Sequence, residues 1–181
     1  MANIFNEDFR DFIDALNKCE VEYLLVGGYA VILNGYRRST GDMDVWVNVS
    51  AENHKKLIKT FLAFGLPTSD ITEDNFLRND EMDVFSYGIP PVCIEVLKKV
   101  KGCDFDEAYK ISKIYDESGL QIRFIHINTL IEAKTAAGRY KDLDDIEKLT
   151  QSIFYSLNLK ETEPLVFSVL LIFTSYLLLP S

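Results

Sequence analysis

The succession of strand-like and helix-like patterns along the 181 residues, with one antiparallel hairpin among them, predicts an α+β domain. Three observations carry that expectation. Short apolar or alternating runs at 22–26, 42–47, 82–87, 92–97 and 121–127 have the length and period of strands. Stretches with apolar residues three and four apart separate most of them, as in helices packed on a core. Gly88-Ile89-Pro90-Pro91 is too short for a parallel crossover, so the two strands it joins form a hairpin.

Each element has its own local reason. Asn6 caps a helix in which Phe9, Phe12, Ile13 and Leu16 share the inward face. The run Glu22-Tyr23-Leu24-Leu25-Val26 stops at Gly27-Gly28, and a helix restarts over 29–33 before Asn34-Gly35, giving strand, glycine turn, helix. In Asp42-Met43-Asp44-Val45-Trp46-Val47 carboxylates alternate with apolar residues, so Asp42 and Asp44 point to one face of a strand. A helix over 51–64 turns Leu57, Ile58, Phe61 and Leu62 inward and ends at Gly65-Leu66-Pro67. The polar, turn-rich stretch 68–80 reads as a surface excursion. After the hairpin come a helix over 104–114, the strand 121–127 and an Asn128-capped helix to Ala137. A last helix runs from about 142 to about 157, with Leu143, Ile146 and Leu149 as its core positions. Residues 1–158 are expected to form a single domain, and 159–181 an apolar C-terminal tail.

Composition narrows the function classes. With 48% hydrophobic, 26% charged and 12% aromatic residues, the chain is too apolar for disorder. Its 19 Lys and Arg against 28 Asp and Glu give a net charge of −9, which disfavours a broad duplex-nucleic-acid surface. Cys19, Cys93 and Cys103 form no CxxC pair and the histidines are only His54 and His126, so neither a disulfide framework nor a His/Cys zinc site is expected. The first fourteen residues carry Glu7, Asp8, Asp11 and Asp14 and no apolar core of a signal, so a cytoplasmic location is the expectation. Leu165 to Leu179 is almost wholly apolar, but as a helix it would reach only about 22 Å against the roughly 30 Å of a hydrocarbon core. Membrane contact through this tail is therefore a weaker reading than packing on the domain or on a partner, and a non-native or poorly ordered terminus is the third alternative.

Chemistry concentrates in a few residues. A glycine pair at a strand end, Gly27-Gly28, lets backbone N–H groups approach phosphate oxygens without obstruction, although such pairs are also ordinary turns. Asp42 and Asp44 can converge on a hard divalent cation. Because Val45-Trp46-Val47 marks their strand as interior, two like charges there call for a metal or cation. Glu95, in the otherwise apolar Val92-Cys93-Ile94-Glu95-Val96-Leu97, is the preferred third carboxylate, with Asp83 its competitor. Arg38 or Arg37 can pair with a phosphate or with the aspartates, and Thr40 can fix the loop. Lys134, Arg139 and Lys141 form a basic group at a helix end, suited to phosphate or acceptor binding or to ordinary helix electrostatics. Asp142, Asp144 and Asp145 read as capping and charging the start of the last helix.

Taken together, Gly27-Gly28, Arg38-x-Thr40-x-Asp42-x-Asp44, the Gly88-Ile89-Pro90-Pro91 hairpin leading to Ile94-Glu95-Val96-Leu97, and Gly102-x-x-Phe105-x-x-Ala108 resemble the polymerase-β-type nucleotidyltransferase superfamily. The likeness is to small bacterial proteins related to abortive-infection and minimal nucleotidyltransferase toxin–antitoxin groups. Leu130-Ile131-x-x-Lys134-x-x-Ala137-Gly138-Arg139-x-Lys141-Asp142-Leu143-x-Asp145 is similar to their C-terminal helical signature. The resemblance implies a mixed β-sheet flanked by helices, with C-terminal helices, and a nucleoside triphosphate substrate. It implies Mg²⁺ as cofactor, as a pair of ions with Mn²⁺ as a substitute, held by Asp42, Asp44 and Glu95. Relatives commonly carry Asp where Glu95 stands. Nucleotide contacts are then expected from Gly27, Gly28, Arg38, Thr40, Lys134, Arg139 and Lys141.

The leading expectation is a nucleotidyltransferase that moves NMP from an NTP to a hydroxyl of a protein, an RNA end or a small molecule, releasing pyrophosphate. The alternative is a catalytically weak or inactive component of a toxin–antitoxin or phage-defence pair that binds the product of an adjacent gene.

Overall fold

The computed structural model describes residues 4–89 and 92–156. The apolar tail at 159–181, and Pro90 and Pro91 of the hairpin turn, lie outside the described residues. In chain order the elements are α1 (Glu7–Lys18), β1 (Tyr23–Leu25), α2 (Gly27–Leu33), β2 (Asp42–Val47), α3 (Ala51–Phe64), α4 (Glu73–Leu77) and β3 (Val84–Ile89). They continue with β4 (Val92–Leu97), α5 (Phe105–Lys110), β5 (Lys113–Glu117), β6 (Leu120–Phe124), α6 (Ile127–Ala137) and α7 (Tyr140–Ser156). The strands form one mixed sheet in the order β3-β4-β2-β1-β6-β5. β2 pairs parallel with β4 and β1 parallel with β6, and the remaining neighbours are antiparallel. The α+β class and the mixed sheet flanked by helices are thus as expected.

Helices cover both faces of the sheet, and the strand alternation sorts side chains between two cores. On one face Phe9, Phe12, Ile13 and Leu16 of α1, with Leu57 and Phe61 of α3, pack on Leu25, Met43, Val45, Val47, Ile94 and Val96. On the other, Ala30 and Val31 of α2, Ala108 of α5, Leu130 and Ile131 of α6 and Leu149 of α7 pack on Leu24 and Trp46. Met43, Val45 and Val47 therefore point into the first layer, while Trp46 points into the second, on the face that also carries Asp42 and Asp44. Both neighbours of β2 are strands, so the aspartates stand on an interior strand, as their apolar flank predicts.

Several local expectations need correction. Leu62 and Leu143 are 66% and 47% exposed, because each lies at the margin of its helix's apolar stripe. The stretch 68–80 is more than a surface excursion: α4 within it is capped by Thr72, and Ile71 and Phe76 are fully buried. The helix expected over 104–114 ends at Lys110, and residues from Lys113 form the edge strand β5. That edge strand keeps Ile114 52% exposed, which erases the period-two signal that would have revealed it. α2 starts at Gly27 itself, and α6 is capped by His126, whose ring accepts from the Asn128 N–H, two residues earlier than an Asn128 cap.

Candidate active site

The register of β2 and β4 sets the site. Asp42 stands beside Cys93 and Asp44 beside Glu95 in the parallel pair, so two carboxylates from one strand meet a third from the next on the same face. Asp44 and Glu95 are half-buried and Asp42 is exposed, so the three lead from the sheet outward to solvent. Asp83, the competitor for the third position, precedes β3 and lies 3.5 Å from the exposed Lys99 instead.

The glycine turn is built around Asp44. Gly27 has φ +60°, and a Cβ there would overlap the Asp44 carboxylate. Both the backbone conformation and the space thus require glycine. At Gly28 a Cβ would collide with the Thr40 hydroxyl and come within 2.9 Å of the Arg38 guanidinium. Sequence separates Gly27, Gly28, Arg38, Thr40 and Asp44; the fold brings them together.

The electrostatics follow from this crowding. Burial pushes the Asp44 carboxyl up to about 6, and repulsion from Glu95 and Asp42 adds to it, while an N–H from Gly28 works in the opposite direction. The Cys93 thiol is pushed up as well, by burial first and then by Asp42 and Glu95. A cation beside these groups would relieve the repulsion that raises Asp44.

The basic residues have partners of their own. Lys134 Nζ lies 3.1 Å from Asp142 Oδ1 and 2.7 Å from Asp145 Oδ2. Arg38 reaches the same Asp145 at 2.6 Å from the loop before β2. Arg139 donates through Nε to Asp142 Oδ2 at 2.6 Å and through its NH2 group to Asp142 Oδ1 at 3.3 Å. Asp142 and Asp145 are each 1% exposed, so they do more than charge the helix start as the sequence suggested; Asp144 alone of the three stays on the surface. Burial pushes Asp142 up, but hydrogen bonds from Arg139 and Lys134 outweigh it and hold the carboxyl below its ordinary range. Lys141 is exposed and stands outside this network.

No family model and no curated protein matches the chain by sequence. Solved structures do match it in three dimensions. A Thermotoga maritima protein assigned as a nucleotidyltransferase superimposes with a TM-score of 0.50 at 13% identity, covering 77% of this chain and 88% of its own. The antibiotic-resistance factor ANT(2″)-Ia superimposes with a TM-score of 0.51, also at 13% identity, covering 81% of this chain and 82% of its own. The chain shares the fold of these nucleotidyltransferases. Within that fold, Asp42, Asp44 and Glu95 share one face of β2 and β4 beside Gly27-Gly28, while Arg38, Lys134 and Arg139 gather around Asp142 and Asp145.

Sequence reasoning missed two features of this nucleotidyltransferase fold. Cys93, two residues before Glu95, shares its face and so stands beside Asp42; the strand period contained that signal. Asp142 and Asp145 are three apart at the start of α7 and share a helix face toward Lys134. Among the described residues no group of three or more His, Cys, Asp or Glu side chains is placed so that it could hold a metal ion. Among them, too, no helix is long and apolar enough to cross a membrane.

Proposed function

We propose that the protein is a Mg²⁺-dependent nucleotidyltransferase, moving a nucleotidyl group from a nucleoside triphosphate to a hydroxyl. The observation that carries this reading is the parallel register that sets Glu95 beside Asp44, with Asp42 two residues before it and Gly27 leaving room for the Asp44 carboxylate.

The donor set fits magnesium. It is all oxygen, and a raised Asp44 carboxyl is what a cationic partner would lower. A closed cage is unnecessary, because Mg²⁺ generally takes one or two protein carboxylates and completes its shell with water and substrate phosphates. Asp42 and Asp44 would hold it, and Glu95 would share in that or take the proton of the acceptor. Magnesium bound there would supply positive charge to the entering and leaving oxygens of an in-line displacement.

The remaining work falls to the chain. Gly27 and Gly28 keep side chains out of the space where the triphosphate approaches Asp44. The acceptor oxygen attacks the α-phosphorus, the bond from that phosphorus to the bridging oxygen of the β-phosphate breaks, and pyrophosphate leaves with the electron pair. The hydroxyl proton passes to Glu95 or to water. Glu95 has one methylene more than the Asp common in relatives, so its carboxylate reaches further from β4 than an aspartate would.

The test is transfer of label from each α-phosphate-labelled nucleoside triphosphate with Mg²⁺, in lysate and on a panel of hydroxylated antibiotics, the latter because of the likeness to ANT(2″)-Ia. Label that appears with the wild type, disappears with Asp42→Asn and requires Mg²⁺ supports the reading. Its sensitivity to RNase or protease identifies the acceptor class. Folded wild-type protein that transfers no label from any nucleotide overturns the reading and favours a binding component of a toxin–antitoxin or phage-defence pair.

A further inference from the structure

The basic residues at the α6–α7 corner differ in what they leave free. Lys134 is 8% exposed in its side chain, with its ammonium between Asp142 and Asp145. Arg38 is 12% exposed and spans from Asp145 to the edge of Gly28. The Lys134 ammonium is taken up by two buried carboxylates, whereas Arg38 gives only its Nη1 to Asp145 and keeps a buried Nε without a partner. Arg139 is different: its side chain is 76% exposed, yet the edge formed by Nε and one terminal nitrogen is fixed to Asp142. A guanidinium has two usable edges, and holding one leaves the outer donors aimed at solvent.

We propose that Asp142 is a positioning residue that presents the free edge of Arg139 to the polyphosphate of the nucleotide, with Lys134 bracing Asp142 from behind. The inference rests on the nucleotidyl-transfer reading for the identity of the ligand, and it separates Arg139, which meets ligand, from Lys134, which holds the frame. Three distances support it: Arg139 to Asp142 at 2.6 Å, Lys134 to Asp142 at 3.1 Å, and Lys134 to Asp145 at 2.7 Å. The Arg38–Asp145 pair at 2.6 Å then ties the start of α7 to the loop that borders Gly28, which puts the corner on the glycine side of the sheet. The Arg139 charge is stabilised chiefly by Asp142 and further by Asp44 and Glu95.

Asp142 has a diagnostic sign. If it were only a negative charge near an anion site, its removal would strengthen anion binding; if it positions Arg139, removal weakens binding. The probe is inorganic tripolyphosphate, titrated calorimetrically into the full chain in EDTA, so that neither metal nor catalysis enters. Arg139→Gln is expected to weaken binding roughly tenfold and Asp142→Asn several-fold. In the Arg139→Gln background the Asp142→Asn substitution should have no further effect. Arg139→Lys, which keeps the charge but not the two-point hold, should fall near Arg139→Gln. Tighter binding by Asp142→Asn, an equal loss in both backgrounds, or wild-type protein that binds no tripolyphosphate would each overturn the proposal. Should Asp142→Asn fail to fold, the comparison of Arg139→Lys with wild type still decides, since equal affinity removes any need for a held edge. The catalytic reading fails separately, by absence of label transfer in a protein whose tripolyphosphate binding is intact.

Discussion

Asp44→Asn should make the metal-free protein more stable at neutral pH and leave it no more stable in acid. The Asp44 carboxyl rises from its ordinary 3.8 to about 6, chiefly through burial and then through Glu95. About two pKa units at about 1.4 kcal/mol each give a ceiling of about 3 kcal/mol for the cost of ionising this group in the fold. The sign follows from linkage: a folded value above the unfolded one means that stability present below about pH 4 is lost as pH rises through about 6. An asparagine keeps the shape of the carboxyl, but a neutral amide oxygen accepts the Gly28 N–H more weakly than a carboxylate does. The expected net gain is therefore about 1–2 kcal/mol near pH 8, vanishing near pH 4. Urea denaturation of wild type and variant in EDTA at both pH values measures it. A loss of stability at pH 8 comparable to that in acid would refute the reasoning, because it would mean that the Asp44 charge is compensated in the folded protein. Adding Mg²⁺ at pH 8 should stabilise the wild type more than the variant, by mass action on a site only the former completes.

Three further outcomes are expected. Gly27→Ala should cost about 2 kcal/mol or more, since a left-handed backbone and an overlap with Asp44 coincide; Asp44→Ala in the same chain should restore part of the loss in melting temperature. Leu149→Ala, which empties a fully buried site, should cost about 2–5 kcal/mol, whereas Leu143→Ser on the same helix should stay within about 0.5 kcal/mol by chemical denaturation. Glu95→Gln should return the Asp44 carboxyl toward its ordinary value, as followed by carboxyl NMR titration in EDTA, and an unchanged midpoint would show that burial alone raises it.

The legible part of the fold was whatever a single period could express. Phe9, Phe12, Ile13 and Leu16 declared α1 because one stripe faces one core, and Asp42 and Asp44 declared their shared face because a strand has only two. β5 hid because an edge strand with an exposed Ile114 has no alternation to offer, and because it follows a short helix whose end carries no glycine or proline. α4 hid for the opposite reason: only Ile71 and Phe76 near it are fully buried, too few to establish a period over a polar stretch. The carboxylate site was legible because a charge in an apolar strand is anomalous at once, and Glu95 needed only the strand order to become the neighbour of Asp44.

The basic group was a different problem, and the difference is physical. Acidic residues at a helix start and basic residues at a helix end satisfy the same dipole whether they lie on the surface or face one another, so their local pattern is identical in both cases. What separates the cases is burial, and burial depends on the α6–α7 turn. Gly138, left-handed at φ +67°, ends α6 and allows α7 to fold back so that Asp142 and Asp145 meet Lys134. Once that turn is made, two carboxylates 1% exposed cannot stand alone, and the cations nearest to them are drawn inward. Lys134 loses its freedom to this demand, Arg38 gives up its Nη1 but not its Nε, and Arg139 is held by one edge at the rim. The number of basic residues in the signature therefore overstates the number available to a ligand, and the pairing partners on α7 decide which one remains.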